Sequence, residues 1–421
     1  MEFINSKILK NLGAYFVSSI ITAGISILLN PFMASKLSHY DYAIIGYFAS
    51  FTILLTPLVT FSLQSYYARN YFKVSEVERK KIYSVILTIY STFSGCVFAL
   101  FYIIYLIYHS LAGDAFPSYP YALLTFLPIW LSSFYNLYIM DLKMKGEGVK
   151  YAVVTISYAV LSAILSIVLV CILEYGSIGR LVAVLSSTII VTIYCLLAKR
   201  IQLTWDVKII RDALRFTWPL IISGILSYFF LGIDRVFLES LNDTISLGLY
   251  NIGLQISGYI AIVGTVLMQT FDPDIYKFTS RGEHRKVIFL CCSIIGIVFL
   301  VNLLFILCSK YIIFLLTAGR YVESTPYANI LCFKNVTTTF AYIMSGVLIG
   351  YGFSKLELLN RLFGSIISVI LYYFLITNFG YIGAAWGQSL SWLCMGCISL
   401  ICLFIILKYK KNDSNYSSSG L

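Results

Sequence analysis

The stretch Val287-Ile-Phe-Leu-Cys-Cys-Ser-Ile-Ile-Gly-Ile-Val-Phe-Leu-Val-Asn-Leu-Leu-Phe-Ile-Leu-Cys308 contains no charged side chain, and basic residues flank it on both sides. At about 1.5 Å per residue, a helix of this length spans roughly the 30 Å hydrocarbon core of a bilayer. A helix also satisfies its own backbone hydrogen bonds, as a segment in hydrocarbon must. The stretch therefore predicts a membrane-spanning helix.

The whole chain shares this composition. Of its 421 residues, 59% are hydrophobic and only 12% are charged, and the mean hydropathy is +0.86. Soluble domains carry about 25% charged residues, so a soluble globular fold is excluded. The net charge of +11 comes from residues scattered in short segments between apolar runs. Because these charges form no single basic surface, a nucleic-acid partner is not expected.

The length of the hydrocarbon core predicts an all-α integral membrane protein with about twelve transmembrane helices. The segment 309–325 is too short to span and is expected to be re-entrant or interfacial. The predicted spans are 12–34, 42–65, 82–108, 119–140, 151–173, 178–198, 214–238, 245–271, 287–308, 326–350, 358–378 and 382–407.

The basic residues orient these spans. All but six of the 30 Lys and Arg residues lie in the termini and the loops on one side of the predicted topology. Since basic loops stay in the cytoplasm, both termini are predicted to be cytoplasmic. The cysteines lie within apolar runs, where they act as small hydrophobes, so no disulfide framework is expected. The three histidines lie in loops and predict no metal site.

A weak internal repeat relates the two halves at an offset of about 204 residues. Tyr67-Ala-Arg-Asn-Tyr-Phe-Lys73 follows the second predicted span as Phe271-Asp-Pro-Asp-Ile-Tyr-Lys277 follows the eighth. We predict an N-terminal six-helix bundle at 1–205, a C-terminal six-helix bundle at 206–408 and a disordered cytoplasmic tail at 409–421. Two such pseudo-symmetric bundles would enclose a central cleft and expose it alternately to either side, which favours transport.

Several short motifs carry a resemblance to a known family. In order along the chain, they are Trp218-Pro-Leu220, Gly232-Ile-Asp-Arg-Val-Phe-Leu238, Gly248-Leu-Tyr-Asn-Ile-Gly253, Asp272-Pro-Asp-Ile-Tyr276, Leu315-Leu-Thr-Ala-Gly-Arg-Tyr321 and Tyr381-Ile-Gly-Ala-Ala-Trp-Gly387. Their order resembles the polysaccharide flippases of the multidrug/oligosaccharidyl-lipid/polysaccharide (MATE-like) exporter superfamily.

The resemblance implies a flippase, not an enzyme, in the bacterial inner membrane. Its cargo would be an undecaprenyl-pyrophosphate-linked oligosaccharide repeat unit, such as an O-antigen or capsule unit, moved from the cytoplasmic to the periplasmic leaflet. The partners implied are this lipid-linked glycan, membrane lipid, and a polysaccharide polymerase with chain-length proteins.

Lys334 is the first candidate for binding such a cargo. It lies inside the predicted span 326–350, beside Asn335 and three threonines. A lysine in hydrocarbon is costly unless it is hydrated, paired or close to an anion, so we expect it to face a cavity. The alternative is that its long side chain snorkels to the outer interface.

Asp234 and Arg235 lie toward the outer end of the seventh span and could shape the mouth of the cavity or form an interfacial ion pair. Asn251 and Gln255 share one helix face, since they are four residues apart, and are the predicted sugar-contacting pair. Amides also bond helix to helix in membranes.

Arg69 and Gln64 could meet the pyrophosphate at the cytoplasmic entrance, although the positive-inside tendency explains Arg69 equally well. Arg320 could belong to the exit on the opposite side.

The sequence contains no phosphate-binding loop of the form G-x-x-x-x-G-K-[ST], so a secondary carrier or facilitator is predicted, with no cofactor. Coupling to H⁺ or Na⁺ would need an acid in the pathway, and Asp234 is the plausible one. Two other functions stay open. A MATE-type drug or cation exporter is expected to carry an acid in its first helix, and 12–34 has none. A polysaccharide polymerase or ligase would need a larger catalytic outer loop.

Overall fold

A computed structural model describes residues 6–112, 116–199 and 203–418. A π-helical turn, Ile167–Ile172, follows α7, and a 3₁₀ turn, Val322–Ser324, precedes α13. The helices are α1 Ser6–Lys36, α2 His39–Thr60, α3 Leu63–Asn70, α4 Glu76–Ser91, α5 Phe93–Ala112, α6 Tyr121–Lys145, α7 Gly148–Ser166, α8 Gly176–Lys199, α9 Val207–Leu231, α10 Ile233–Glu239, α11 Thr244–Ser280, α12 His284–Leu316, α13 Thr325–Gly350 and α14 Ser354–Ser418.

Ten helical segments in the described part of the chain are long and apolar enough to cross a membrane. One of them, Leu356–Ile405, contains Gly380, whose φ of 56° and ψ of −134° interrupt α14, so it holds two of the predicted spans. Helix α13 coincides in length with the predicted span 326–350, but it is not one of these ten segments. The prediction of an all-α, multi-pass membrane fold is therefore confirmed.

Two predicted spans are each built from two helices. The span 82–108 divides at Thr92 between α4 and α5. The span 214–238 divides at Gly232 between α9 and α10. A hydropathy window cannot detect such breaks, because the residues on both sides are equally apolar.

The structure corrects two expectations, one for the segment after the ninth predicted span and one for the C-terminal tail. The predicted re-entrant segment 309–325 is wrong in its first part, because α12 continues without a break to Leu316. The structure also continues α14 as a helix to Ser418, in place of disorder from 409. Residues 419–421 lie outside the described part of the chain.

Polar caps define the beginnings of several helices. Ser38 and Asp41 form a capping box at the start of α2. The Asp41 carboxylate also accepts hydrogen bonds from the backbone N–H of Ser177 at 2.8 Å and from its hydroxyl at 2.6 Å. A single acid therefore serves the N-termini of both α2 and α8, where negative charge is favoured.

The chain divides into two compact units. The first comprises Met1–Tyr228, Asn242–Gly248 and Phe314–Tyr321, and the second comprises Phe229–Leu241, Leu249–Ile313 and Val322–Leu421. These units group residues that lie close together in space, whereas the predicted bundles 1–205 and 206–408 were inferred from a sequence repeat. The repeat therefore stays a prediction.

Each unit has its own apolar core. In the first unit, α1 packs against α7 and α6 packs against α8. Tyr67, Ile86 and Leu137 are buried in one cluster that joins α3, α4 and α6. In the second unit, α13 packs along α14, and Ile294 and Ile343 join α12 to α13 in another cluster.

Small residues allow α14 to fold back beside itself after the break at Gly380. A Cβ added at Gly387 would lie only 2.7 Å from Cδ1 of Tyr372, which has no exposed surface. Tyr372 in turn donates a hydrogen bond to the Phe230 carbonyl at 2.8 Å. Gly387 therefore fixes the approach of the two halves of α14.

Replacing Gly387 by Ala is expected to destabilise the second unit by about 1–3 kcal/mol, because the added methyl group overpacks the contact with Tyr372. Gly296→Ala in α12 is the matched control, since its Cβ would meet nothing within 4 Å. Thermal unfolding of the purified variants measures the difference. Equal midpoints for both would show that the close packing is not required.

Candidate functional site

A cavity of about 550 Å³ lies within the second unit, between α11 and α13. We call it the Lys334 cavity. Its further walls are Leu231 of α9 and Arg361 of α14. Along α13 the lining residues recur every three or four positions from Lys334 to Ile349, so they occupy one face over about 22 Å. They are Lys334, Asn335, Thr338, Thr339, Tyr342, Ser345, Gly346 and Ile349.

Glycines in α11 and α13 set the width of this cavity. Added Cβ atoms at Gly258 and Gly346 would meet nothing within 4 Å, so these positions leave open space. At Gly264, by contrast, an added Cβ would lie 2.7 Å from Oγ1 of Thr339. Helices α11 and α13 therefore approach each other closely at Gly264 and leave open space at Gly258 and Gly346.

Lys334 is half-buried on the wall of this cavity. Among the residues that the structure describes, it forms no salt bridge. Asp234 and Arg235 lie within electrostatic range of its ammonium group, and their opposite charges act on it in opposite directions. The cavity therefore presents a positive charge that no neighbouring carboxylate neutralises by direct contact.

The polar groups beside Lys334 differ in their availability. Nδ2 of Asn335 donates to the Ser257 carbonyl at 2.9 Å and to the Asn302 side chain at 3.1 Å, so this amide already joins α11, α12 and α13. The buried Oγ1 of Thr338, however, has no hydrogen-bond partner in the described part of the chain. Buried hydroxyls are normally satisfied, so Thr338 is available to a ligand or to water.

A second cation lies at the far end of the cavity. Arg361 is held by Glu357, whose carboxylate lies 3.1 Å from the guanidinium Nε. The Ser345 hydroxyl donates to the same carboxylate at 2.8 Å. Asp272 of α11 also lines the cavity, which therefore carries two cations and one acid.

Asp234 and Arg235 belong to a buried network and do not line the cavity. Asp234 has no exposed surface, and its Oδ2 accepts hydrogen bonds from the Tyr250 hydroxyl and, at 2.7 Å, from Gln388. Arg235 Nη1 lies 3.8 Å from Asp234 Oδ1. The pair was expected at an interface or cavity mouth, but its hydrogen-bond partners are protein groups of α9, α11 and α14.

The structure does not bring Asn251 and Gln255 together at one site. Asn251 is buried, and its Oδ1 accepts a hydrogen bond from Arg235 Nε at 3.2 Å. Gln255 is exposed, and it donates to the Tyr259 hydroxyl at 3.0 Å. Sharing a helix face over four residues does not guarantee a shared environment, because the face passes out of the packed core.

The remaining predicted residues lie in the first unit and have separate neighbours. Arg69 is exposed on α3 and lies over the Phe216 ring at 4.4 Å, whereas Gln64 is partly buried on the same helix. Arg320 donates to the carbonyls of Ala34 at 3.1 Å and Ser35 at 2.6 Å. It therefore caps the C-terminal end of α1, where a cation is favoured.

Two residues of the site were missed as candidates. Arg361 was counted only as part of a cytoplasmic basic segment, although its position near the start of the eleventh predicted span was a usable signal. Gln388 lies within the last predicted span. Its hydrogen bond to Asp234 joins positions 154 residues apart, which one sequence cannot reveal.

The fold defines a class of protein, a multi-pass helical membrane protein. Two solved structures, each 16% identical, share this fold. The lipid II flippase MurJ in an inward closed conformation matches with a TM-score of 0.71, over 92% of this chain and 87% of that one. An inward-facing multidrug resistance MATE family transporter of the MOP superfamily matches with a TM-score of 0.69, over 93% and 96%.

Sequence comparison gives the family. The chain belongs to the polysaccharide biosynthesis protein family, whose model matches residues 8–273. It is also 24% identical over 206 residues to an uncharacterized membrane protein of Methanocaldococcus jannaschii. That match covers 48% of this chain and 47% of the relative, so the chain spans about half the length of the curated relative it matches.

Asp234→Asn is expected to lower the stability of the protein by about 3 kcal/mol, because it leaves Arg235 buried without its counter-charge. Asp243→Asn makes the same chemical change at an exposed N-cap, where Asn serves as well as Asp. Thermal unfolding of the two purified variants compares them. An Asp234→Asn protein as stable as Asp243→Asn would contradict the assigned pairing.

Proposed function

We propose that this protein is a flippase for an undecaprenyl-pyrophosphate-linked oligosaccharide repeat unit, such as an O-antigen or capsule unit. The observation that carries the proposal is the cation of Lys334, which forms no salt bridge among the described residues and lies on the wall of a cavity with several polar side chains. An ammonium group there is costly unless water or an anion solvates it. A pyrophosphate group is an anion of the required kind.

The composition of the cavity suits the rest of such a cargo. Sugar hydroxyls need hydrogen-bonding partners, and the Thr338 hydroxyl is available as one. The Tyr276 and Tyr342 rings offer apolar faces for sugar rings. A volume of about 550 Å³ lies in the range of small-molecule sites. The prenyl chain, which is as apolar as lipid, can remain in the bilayer.

Membership of the polysaccharide biosynthesis family and the MurJ- and MATE-like fold support this proposal. The direction would be from the cytoplasmic to the periplasmic leaflet of the bacterial inner membrane, with both termini cytoplasmic as the basic loops indicate. Alternating access stays a prediction. A polysaccharide polymerase and chain-length proteins are the proposed partners, because they would act on the same lipid-linked glycan.

A MATE-type drug or cation exporter is the second candidate. Asp272 lines the same cavity and could bind a cation, and the MATE structures share the fold. A cation would, however, meet both Lys334 and Arg361 in this cavity, and like charges oppose its binding. A polymerase or ligase is favoured by no specific group in the described residues.

Ion coupling through Asp234 stays a proposal. The Asp234 carboxylate accepts hydrogen bonds from Tyr250 and Gln388 and lies beside Arg235. If coupling is obligatory, purified protein in vesicles should flip its substrate only under an imposed H⁺ or Na⁺ gradient. Equal flipping without a gradient excludes obligatory coupling.

Lys334→Gln is expected to slow flipping roughly tenfold or more, because it removes a charge-assisted contact of about 1.5–3 kcal/mol. Proteoliposomes containing the lipid-linked oligosaccharide, with a glycosidase outside, measure the rate at which sugars reach the outer leaflet. Lys310→Gln, at an exposed lysine of α12, is the control for loss of one charge.

Three outcomes separate the candidate functions. A slow Lys334→Gln variant beside a normal Lys310→Gln variant supports the flippase and its site. Normal flipping by Lys334→Gln contradicts the assigned role of the lysine. Transport of ethidium by the wild-type protein, without movement of the lipid-linked oligosaccharide, would support the exporter instead.

A further inference from the structure

A second cavity, of about 820 Å³, lies wholly within the first unit, where the beginning of α4 meets the ends of α6 and α8. We call it the basic cavity. Among the residues that the structure describes, the acids on its wall are Glu76 and Asp141. The cations on its wall are Arg79, Lys80, Lys81, Lys145 and Lys199.

The floor of the basic cavity carries an excess of positive charge. Oδ2 of Asp141, a side chain only 2% exposed, lies 2.5 Å from the Lys199 ammonium and 3.0 Å from that of Lys145. The Tyr67 hydroxyl donates to the other oxygen of the same carboxylate. One carboxylate can neutralise only one of the two ammonium groups. The second charge remains for an anion that enters the cavity.

The α4 side of the cavity supplies donors. Arg79 lies over the Tyr71 ring at 4.2 Å, and its buried Nε has no hydrogen-bond partner among the residues that the structure describes. Lys80 pairs with the exposed Glu76 carboxylate at 2.8 Å, and such exposed pairs are weak. Both side chains can therefore turn to an anion at little cost.

Lys81 is more firmly held. Its ammonium lies 2.5 Å from the Asp206 carboxylate, and this hydrogen bond holds the pKa of Asp206 below its usual value. Lys81 therefore contributes less charge to the cavity than Arg79, Lys80 or Lys145.

Exposed apolar side chains lie close in sequence to residues of the cavity wall. Phe72 is 81% exposed and Val77 is 79% exposed, and both lie close in sequence to the cavity residues of α4. Trp205, also exposed, follows Thr204, which lines the cavity. Exposed aromatic and aliphatic groups beside clustered cations are typical of the level of the lipid headgroups.

We propose that the basic cavity binds the phosphate group of an anionic membrane lipid. Arg79 and Lys145 contact the phosphate from opposite walls, while Phe72, Val77 and Trp205 lie against the lipid around the opening. Basic pockets between helices at the cytoplasmic level are suited to such headgroups. This site is separate from the Lys334 cavity and does not rest on the proposed transport function.

The test compares lipid binding by variants of the full-length protein. Native mass spectrometry of detergent-purified protein measures retention of dioleoyl phosphatidylglycerol, with dioleoyl phosphatidylcholine as the neutral reference. We expect Arg79→Gln/Lys145→Gln to weaken phosphatidylglycerol binding about tenfold, because two charge-assisted contacts are lost. Lys143→Gln/Lys150→Gln is the matched control, since both lysines are exposed near the same helix ends and do not line the cavity.

Addition of inorganic pyrophosphate identifies the source of the phosphate. If it does not displace phosphatidylglycerol, the site requires a lipid; if it does, the site accepts any phosphate group. If Arg79→Gln/Lys145→Gln does not fold, Lys80→Gln/Lys145→Gln replaces it and leaves Arg79 in place. We expect this second variant to weaken phosphatidylglycerol binding by a similar factor. Equal retention of the two lipids by the wild-type protein, or equal losses in the cavity and control variants, would overturn the proposal.

Discussion

The cost of holding the half-buried Lys334 ammonium among the apolar groups of its cavity is the constraint on which the second unit depends. Hydrocarbon cannot solvate a cation, so the side chain needs water, an anion or a carboxylate beside it. The described residues supply no carboxylate in direct contact, and the space instead opens into a cavity. Gly258 and Gly346 keep that space open, because larger side chains at either position would project into it.

The buried network of α10 explains how the cavity keeps its form. The break at Gly232 separates α10 from α9, and the charges of Asp234 and Arg235 follow it directly. Tyr250 of α11 and Gln388 of α14 both bind Asp234. Three elements are thus tied to one carboxylate close to Lys334. Loss of this acid would disturb both the packing and the electrostatics of the cavity.

Much of the fold could be predicted because the bilayer sets a fixed length for apolar helices. The same criterion failed where a helix continues past the predicted span, as α12 does to Leu316, and where apolar helices break, as at Thr92. Lys334 could be identified because a cation inside an apolar span is rare. The capping of α1 by Arg320 could not, since it joins positions about 285 residues apart, and a single sequence carries no record of such pairing.

The most direct test of a hydrated, positively charged cavity is the modification rate of a cysteine placed at Thr338. The Thr338→Cys variant reacts separately with a negatively charged and with a positively charged methanethiosulfonate. Both reactions are run with Lys334 present and with Lys334 replaced by Gln. Mass spectrometry measures modification of the peptide that contains position 338 and so distinguishes it from modification of the native cysteines. We predict that the reaction rate of the anionic reagent, divided by that of the cationic reagent, falls severalfold when Lys334 is replaced, because the local electrostatic potential becomes less positive. An unreactive thiol in the Thr338→Cys variant, or a ratio that does not depend on Lys334, would contradict it.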